Sequence, residues 1–219
     1  MGESSASTDE RPMGLERIIF FSDAVFAIVI TLLVLPIAAD VQLPEVHGGL
    51  AQQVWALEPK IVSFAVSFLV IGQFWIAHHR MFDYMRSADQ QLLWLNLVSL
   101  LTISFLPFPS ALLGAHSTPT DHFAVVFYAA SMTVASLALT VTWLYALRSG
   151  LVDQTLDRHT ASYLTTRTVL TSALFLVSVG GGFFFGYPAA MLFWLVLLPA
   201  ARILLARRHR RRQLLTRAA

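Results

Sequence analysis

The sequence predicts an all-α membrane protein with six transmembrane helices, and three observations carry that reading. The 219 residues are 56% hydrophobic and only 13% charged, with a mean hydropathy of +0.65. A soluble domain carries roughly 25% charge, so this chain has too few polar groups to cover its surface in water. A bilayer span needs about 20 mostly apolar residues. Six segments meet that length, at 15–38, 59–82, 90–113, 122–147, 167–186 and 187–206. The third observation is the placement of arginine. With both termini cytoplasmic, the inside segments and adjoining span ends hold Arg11, Arg17, Arg80, Arg86, Arg148, Arg158, Arg167, Arg202, Arg207, Arg208, Arg210, Arg211, Arg212 and Arg217, while the outside loops hold only Lys60. That asymmetry sets the orientation and favours an even number of spans. Residues 1–219 read as one membrane domain, with no long linker and no strong internal repeat.

Residues 1–17 are polar, and the apolar run after them exceeds a signal h-region of about 7–15 residues. The first span is therefore expected to stay in the mature protein. Its cytoplasmic end carries Arg17, Ser22 and Asp23, and Pro36 closes it. A charge bordering hydrocarbon is costly, and it is paired or turned towards protein or water. Ile28, Thr31 and Leu35 fall at i, i+3 and i+7, which places them on one helical face, and Phe21 and Ala24 extend it inward. That face packs within a bundle or lines a pore, and Thr31 bonds a carbonyl of its own helix in the first case. Arg17 and Asp23 stand six residues apart, too far for the i, i+4 pairing of one helix.

After an irregular loop with Pro44 and Gly48-Gly49, residues 50–57 suit a short interfacial helix, and Pro59 suits a first helical turn. The second span ends with Trp75, His78, His79 and Asp83, at the depth of Asp23. His78 and His79 face different directions, since neighbours on a helix differ by about 100°. Either can bond Ser22, Asp23 or Asn96. The His79/Asp83 pair lacks the third ligand a metal site needs. The third span carries Asn96, an interhelical hydrogen-bonding group, and Pro107 and Pro109, which bend or end the helix. Gly180-Gly181-Gly182 in the fifth span permits close helix approach, and Gly186-Tyr187-Pro188 is the only turn signal before the sixth.

Cysteine is absent, so disulfides and thiolate metal sites are excluded. No GxSxG, HExxH, P-loop or dinucleotide fingerprint is present, which argues against an enzyme. The run 207–212 gives most of the net +2 charge. After a membrane span it reads as an anchor against anionic headgroups rather than a nucleic-acid patch.

Arg17-x-x-x-Phe21-Ser22-Asp23, followed by Ala24 to Ile28 and by Thr31 to Pro36, resembles the signature of the transmembrane protein 175 family in its prokaryotic members. The Trp75-x-x-His78-His79 end and the Asn96 to Pro109 stretch extend the similarity. The resemblance implies a homotetramer in a bacterial plasma membrane, permeable to potassium and without cofactor or resident metal. The first helix of each chain would line a central pore. The apolar constriction would fall at Ile28, Thr31 and Leu35, in place of a TVGYG carbonyl filter, which this sequence lacks. Arg17, Phe21, Ser22, Asp23, Trp75, His78 or His79, and Asn96 would form the family's polar network. Two other classes compete with a channel: a proton-linked secondary transporter relaying through Asp23 and His78 or His79, and a non-conducting scaffold subunit.

Overall fold

The structure, a computed structural model, describes residues 13–41, 50–116, 122–197, 200, 203 and 207. It is all-helical: α1 (Met13–Leu32), α2 (Leu35–Val41), α3 (Leu50–Ala56), α4 (Glu58–Asp83), α5 (Gln90–Phe105), α6 (Pro107–Ala115), α7 (His122–Arg148) and α8 (Arg158–Leu192), then a π-helical turn, Phe193–Leu197. Five helical stretches among the described residues are long and apolar enough to cross a membrane: Gly14–Ala39, Glu58–Asp83, Gln90–Ala115, His122–Arg148 and Arg158–Phe184. Beyond residue 197 the expected sixth span falls almost wholly outside the described residues, as does nearly all of the arginine run.

Local chemistry explains the helix boundaries. Pro59 sits in the first turn of α4, where its missing N–H is not needed. Asp89 caps α5, its carboxylate accepting from Leu92 N at 2.7 Å. The second Asp89 oxygen accepts from the Tyr145 hydroxyl at 2.6 Å, tying the start of α5 to the end of α7. The Tyr145 bond first, then that of Leu92, holds the Asp89 carboxyl below the usual carboxylate range. Pro107 divides α5 from α6 at Leu106. The loops at this end are stitched together: Arg86 N donates to Leu151 O at 2.8 Å and Asp153 N to Tyr84 O at 2.9 Å.

Two boundaries differ from the sequence reading and a third agrees with it. The first span is not one helix, because α1 stops at Leu32 and α2 restarts at Leu35. Pro36 has no N–H for the Leu32 carbonyl and its ring crowds that carbonyl, so the break falls one turn before the proline. The loop taken as 148–166 is short. Residues 158–166 belong to α8, and Arg167 lies nine residues inside that helix rather than at its start. The fifth and sixth spans meet at Gly186, whose φ of 67° and ψ of −164° suit glycine alone.

Lipid is as apolar as leucine, so helices in a bilayer associate through close packing and hydrogen bonds rather than through hydrophobic burial. α8 packs on α7, α5 on α7, α4 on α6, and α1 on α4 and α5. Hydroxyls join these pairs. Ser67 on α4 meets Ser110 on α6 at 2.7 Å and Tyr128 on α7 at 3.0 Å. Ser172 on α8 meets Ser136 at 2.8 Å and Thr140 at 3.1 Å on α7. Ser99 on α5 meets Thr142 on α7 at 3.0 Å.

The glycine triplet is not uniform. A methyl group at Gly182 would lie 2.7 Å from Val125 Cγ1 on α7, whereas Gly181 has nothing within 4 Å. His122 Nδ1 also donates to the Gly182 carbonyl at 3.1 Å. Gly182→Ala is expected to destabilise by about 1–3 kcal/mol through overpacking. Gly181→Ala should be neutral or stabilising by up to about 1 kcal/mol through helix propensity. Thermal unfolding of the purified variants measures both, and equal melting temperatures would contradict the close approach.

Candidate functional site

α1 has two faces. Leu15, Ile18, Ile19, Ser22, Phe26, Val29 and Leu33 are buried, recurring every three or four residues against α4 and α5. Arg17, Phe21, Ala24, Ala27, Ile28 and Thr31 are exposed on the other side, and so is Leu35 on α2. Ile28 is 58% exposed, Leu35 56% and Phe21 53%, values that mark a face the other described residues leave uncovered. The helical break qualifies the i, i+7 relation of Ile28 and Leu35: Leu35 opens α2, so that short helix sets its direction. Thr31 Oγ1 donates to the Ile28 carbonyl at 2.8 Å. The hydroxyl proton is thereby used within the helix, and the oxygen lone pairs remain for an acceptor role on the exposed side.

The polar residues at the other end of α1 divide into two groups. The buried group is a directional chain. Ser22 Oγ donates to the Ile18 carbonyl at 2.8 Å. Asn96 Nδ2 donates to Ser22 Oγ at 3.0 Å. His78 Nε2 and Asn96 Oδ1 are 2.8 Å apart. Because the Asn96 oxygen only accepts, Nε2 carries the proton. The His78 ring packs between Phe82, stacked at 4.3 Å, and Phe26 at 5.5 Å, and its Nδ1 has no hydrogen-bond partner among the described residues. Three helices meet in this chain: α1 through Ser22, α4 through His78 and α5 through Asn96.

The second group lies on the exposed side. Trp75 Nε1 donates to Asp23 Oδ1 at 2.8 Å. The Trp75 ring stacks on His79 at 5.6 Å, and His79 Nε2 lies 3.6 Å from Asp83 Oδ2. Asp23 is thus held by another helix, not by Arg17, which forms no ion pair with a described residue. The two histidines separate as helical neighbours do, His78 inward to Asn96 and His79 outward to Trp75. Phe21 is exposed and enters neither group's hydrogen bonds. Among the described residues no group of three His, Cys, Asp or Glu is placed to hold a metal ion.

Sequence reasoning missed the aromatic packing around His78 and the Asp89–Tyr145 tie. Phe82 stands four residues after His78, the spacing at which helical side chains meet, so that contact had a readable signal. Phe26 and Tyr145 come from other helices and had none.

The sequence profile described as the endosomal/lysosomal potassium channel TMEM175 matches residues 17–107, which include every residue of both polar groups and the Ile28–Leu35 stretch. A protein of Streptomyces collinus named a potassium channel is 36% identical over 172 residues, 76% of this chain and 82% of that protein. Another so named, from Chamaesiphon minutus, is 32% identical over 169 residues, 76% of this chain and 83% of that protein. The mouse protein named endosomal/lysosomal proton channel TMEM175 is 37% identical over 103 residues, 44% of this chain but 20% of that protein. The crystal structure described as a lysosomal potassium-selective channel TMEM175 homologue from Chamaesiphon minutus superposes with a TM-score of 0.73 at 28% identity, covering 90% of this chain and 99% of that one. A chain with this helical bundle and these relatives belongs to the TMEM175 family of ion channels.

Proposed function

We propose that this chain is the subunit of a potassium-permeable cation channel, assembled as a homotetramer around a pore that the exposed face of α1 lines. One observation supports the reading above others: Ala24, Ala27, Ile28 and Thr31 form an uncharged face that the other described residues do not cover, next to a face locked by buried hydrogen bonds. Four copies of Ile28 and of Leu35 around an axis make apolar rings, which admit an ion only when it sheds water or when the rings widen. Thr31 lies about 4.5 Å along the axis from Ile28. Its oxygen lone pairs replace part of a cation's hydration there, and four neutral oxygens discriminate potassium from sodium less sharply than stacked carbonyls do. The orientation follows the arginines, with both termini cytoplasmic and the tail at 207–212 against anionic headgroups of the bacterial plasma membrane. Asp23 is bonded to Trp75 and not to either histidine. That arrangement favours a channel over a transporter relaying protons from Asp23 to His78 or His79.

Reversal potentials in planar bilayers test the pore. Ile28→Asn should raise unitary conductance severalfold and lower the potassium-to-sodium permeability ratio, and Thr31→Ala should lower that ratio at similar conductance. If neither substitution changes conductance or ratio, α1 does not line the pore. Unitary currents without a proton gradient separate a channel from a proton-linked transporter, and a purified protein that never conducts identifies a scaffold.

In the same reading Ser22, Asn96 and His78 act as the clasp that seats α1, with Asp23 and Trp75 at its edge. Asn96→Ala strands the His78 N–H and the Ser22 oxygen and should destabilise by about 1–3 kcal/mol for the buried groups left unpaired. Trp75→Phe leaves Asp23 on the exposed side and should have a smaller effect. Asp23→Ala should reduce tetramer yield more than it alters permeation. Thermal unfolding and size-exclusion chromatography read these outcomes. A Trp75→Phe loss exceeding that of Asn96→Ala, or full Asp23→Ala tetramer with changed selectivity, would remove the clasp.

A further inference from the structure

Arg167 is a charged residue inside a membrane-spanning helix that neither polar group uses. It lines a narrow, half-open cleft between α4, α7 and α8, with Phe74, Ala77, Ser136, Leu139, Thr168 and Thr171. Its interacting neighbours are the Tyr163 hydroxyl, one turn back, and the cationic Arg80 at the end of α4, and no carboxylate of a described residue pairs with it. The hydroxyls along the cleft already use their protons. Thr168 donates to Thr165 O at 2.9 Å and Thr171 to Arg167 O at 2.8 Å, while Ser136 is paired with Ser172 at 2.8 Å. A guanidinium has five N–H donors, so it holds most of the unused donor capacity here, beside a second cation.

Depth identifies the ligand class. Phe74 is nine residues from the end of α4, Leu139 nine from the end of α7, and Arg167 nine from the start of α8. At 1.5 Å per residue the cleft lies about 13 Å below the helix ends. Helices of this length exceed a hydrocarbon core of about 30 Å by roughly 5 Å at each end, so the α-carbon of Arg167 sits about 8 Å into hydrocarbon. Helical side chains lean towards the helix N-terminus, which carries this guanidinium back towards the arginine-rich membrane surface, the behaviour of a snorkelling arginine. A free anion would have to leave water to reach it. A lipid phosphate is already at that level, and its acyl chain can lie along the partly exposed Ala77 at the cleft's mouth.

We infer that the Arg167 cleft between α4, α7 and α8 binds the phosphate-bearing headgroup of an anionic membrane lipid. The guanidinium forks onto the phosphate oxygens, and Arg80 adds charge at the rim. Basic pockets between helices at the cytoplasmic side hold anionic headgroups by the same physics.

The test is thermal unfolding of the detergent-purified full chain titrated with phosphatidylglycerol, with phosphatidylcholine and inorganic phosphate as separate arms. Phosphatidylglycerol should raise the melting temperature, and the other two should not. Arg167→Gln should weaken the apparent phosphatidylglycerol affinity about fivefold, the worth of one basic residue at a lipid surface. Ala77→Leu, which narrows the cleft and keeps the charge, should weaken it similarly, so the outcome does not hang on Arg167→Gln folding. Undiminished phosphatidylglycerol stabilisation in both variants would place lipid binding elsewhere, such as the arginine tail, and overturn the inference. Stabilisation of the native chain by inorganic phosphate, lost in Arg167→Gln, would also overturn it, in favour of a soluble anion.

Discussion

The Asn96 carboxamide is the contact on which the arginine-rich end of the bundle closes. It is buried, it lies on α5, and it bonds α1 through Ser22 and α4 through His78. Only one arrangement of protons satisfies the whole chain. The Ser22 proton goes to the Ile18 carbonyl, so Ser22 accepts and the Asn96 nitrogen must face it. The Asn96 oxygen then faces His78 and requires a proton on Nε2. In the neutral ring Nδ1 is a lone pair beside phenyl rings, and no donor is stranded there. Such a chain specifies a structure because each member leaves its neighbour no second choice.

That constraint fixes the rotation of α1. A slip of one residue turns a helix by about 100°, which would pull Ser22 from Asn96 and Asp23 from Trp75 together. Ser22 and Asp23 are neighbours whose partners lie on different helices and different sides, so the pair acts as a key with two cuts. The rest of the bundle is keyed similarly with weaker parts. Hydroxyl pairs register α7 on α8 and α4 on α6, and Gly182 lets Val125 come close where Gly181 meets nothing.

Much of this was readable without coordinates. The stripe of Ile28 and Thr31, the first-turn Pro59, the short helix after residue 50, the break at Pro107 and the turn at Gly186 all follow from local periodicity or backbone chemistry. What escaped depends on contacts from elsewhere in the chain. Residues 158–166 are polar enough to read as a loop, and they extend α8 because it runs alongside α7. Pro36 announces a helix end, but the break falls a turn earlier, at the carbonyl the proline cannot bond. The choice between His78 and His79 rests on how α4 is rotated against α1 and α5, which no property of either residue encodes. Arg167 looked like a boundary residue only because the loop before it was drawn too long.

Exposure alone does not say what the outer face of α1 meets, since lipid and a second copy are equally apolar. Rotation does bear on it. A helix that only faces lipid gains nothing from a fixed rotation, because acyl chains pack against any apolar side. α1 is nonetheless fixed by polar groups that are costly to bury unless every one is satisfied. Such a fixed rotation has value where the outer face meets something ordered, and an axis shared with other copies of the same helix is ordered. The small Ala24 and Ala27 suit close approach between helices, and Ile28 and Thr31 follow them towards the break. A continuous helix would carry Leu35 at an angle set by Ile28, whereas α2 begins afresh at Leu35. In the proposed tetramer the clasp at Asn96 would set the rotation of α1, while the direction of Leu35 would be set separately by α2.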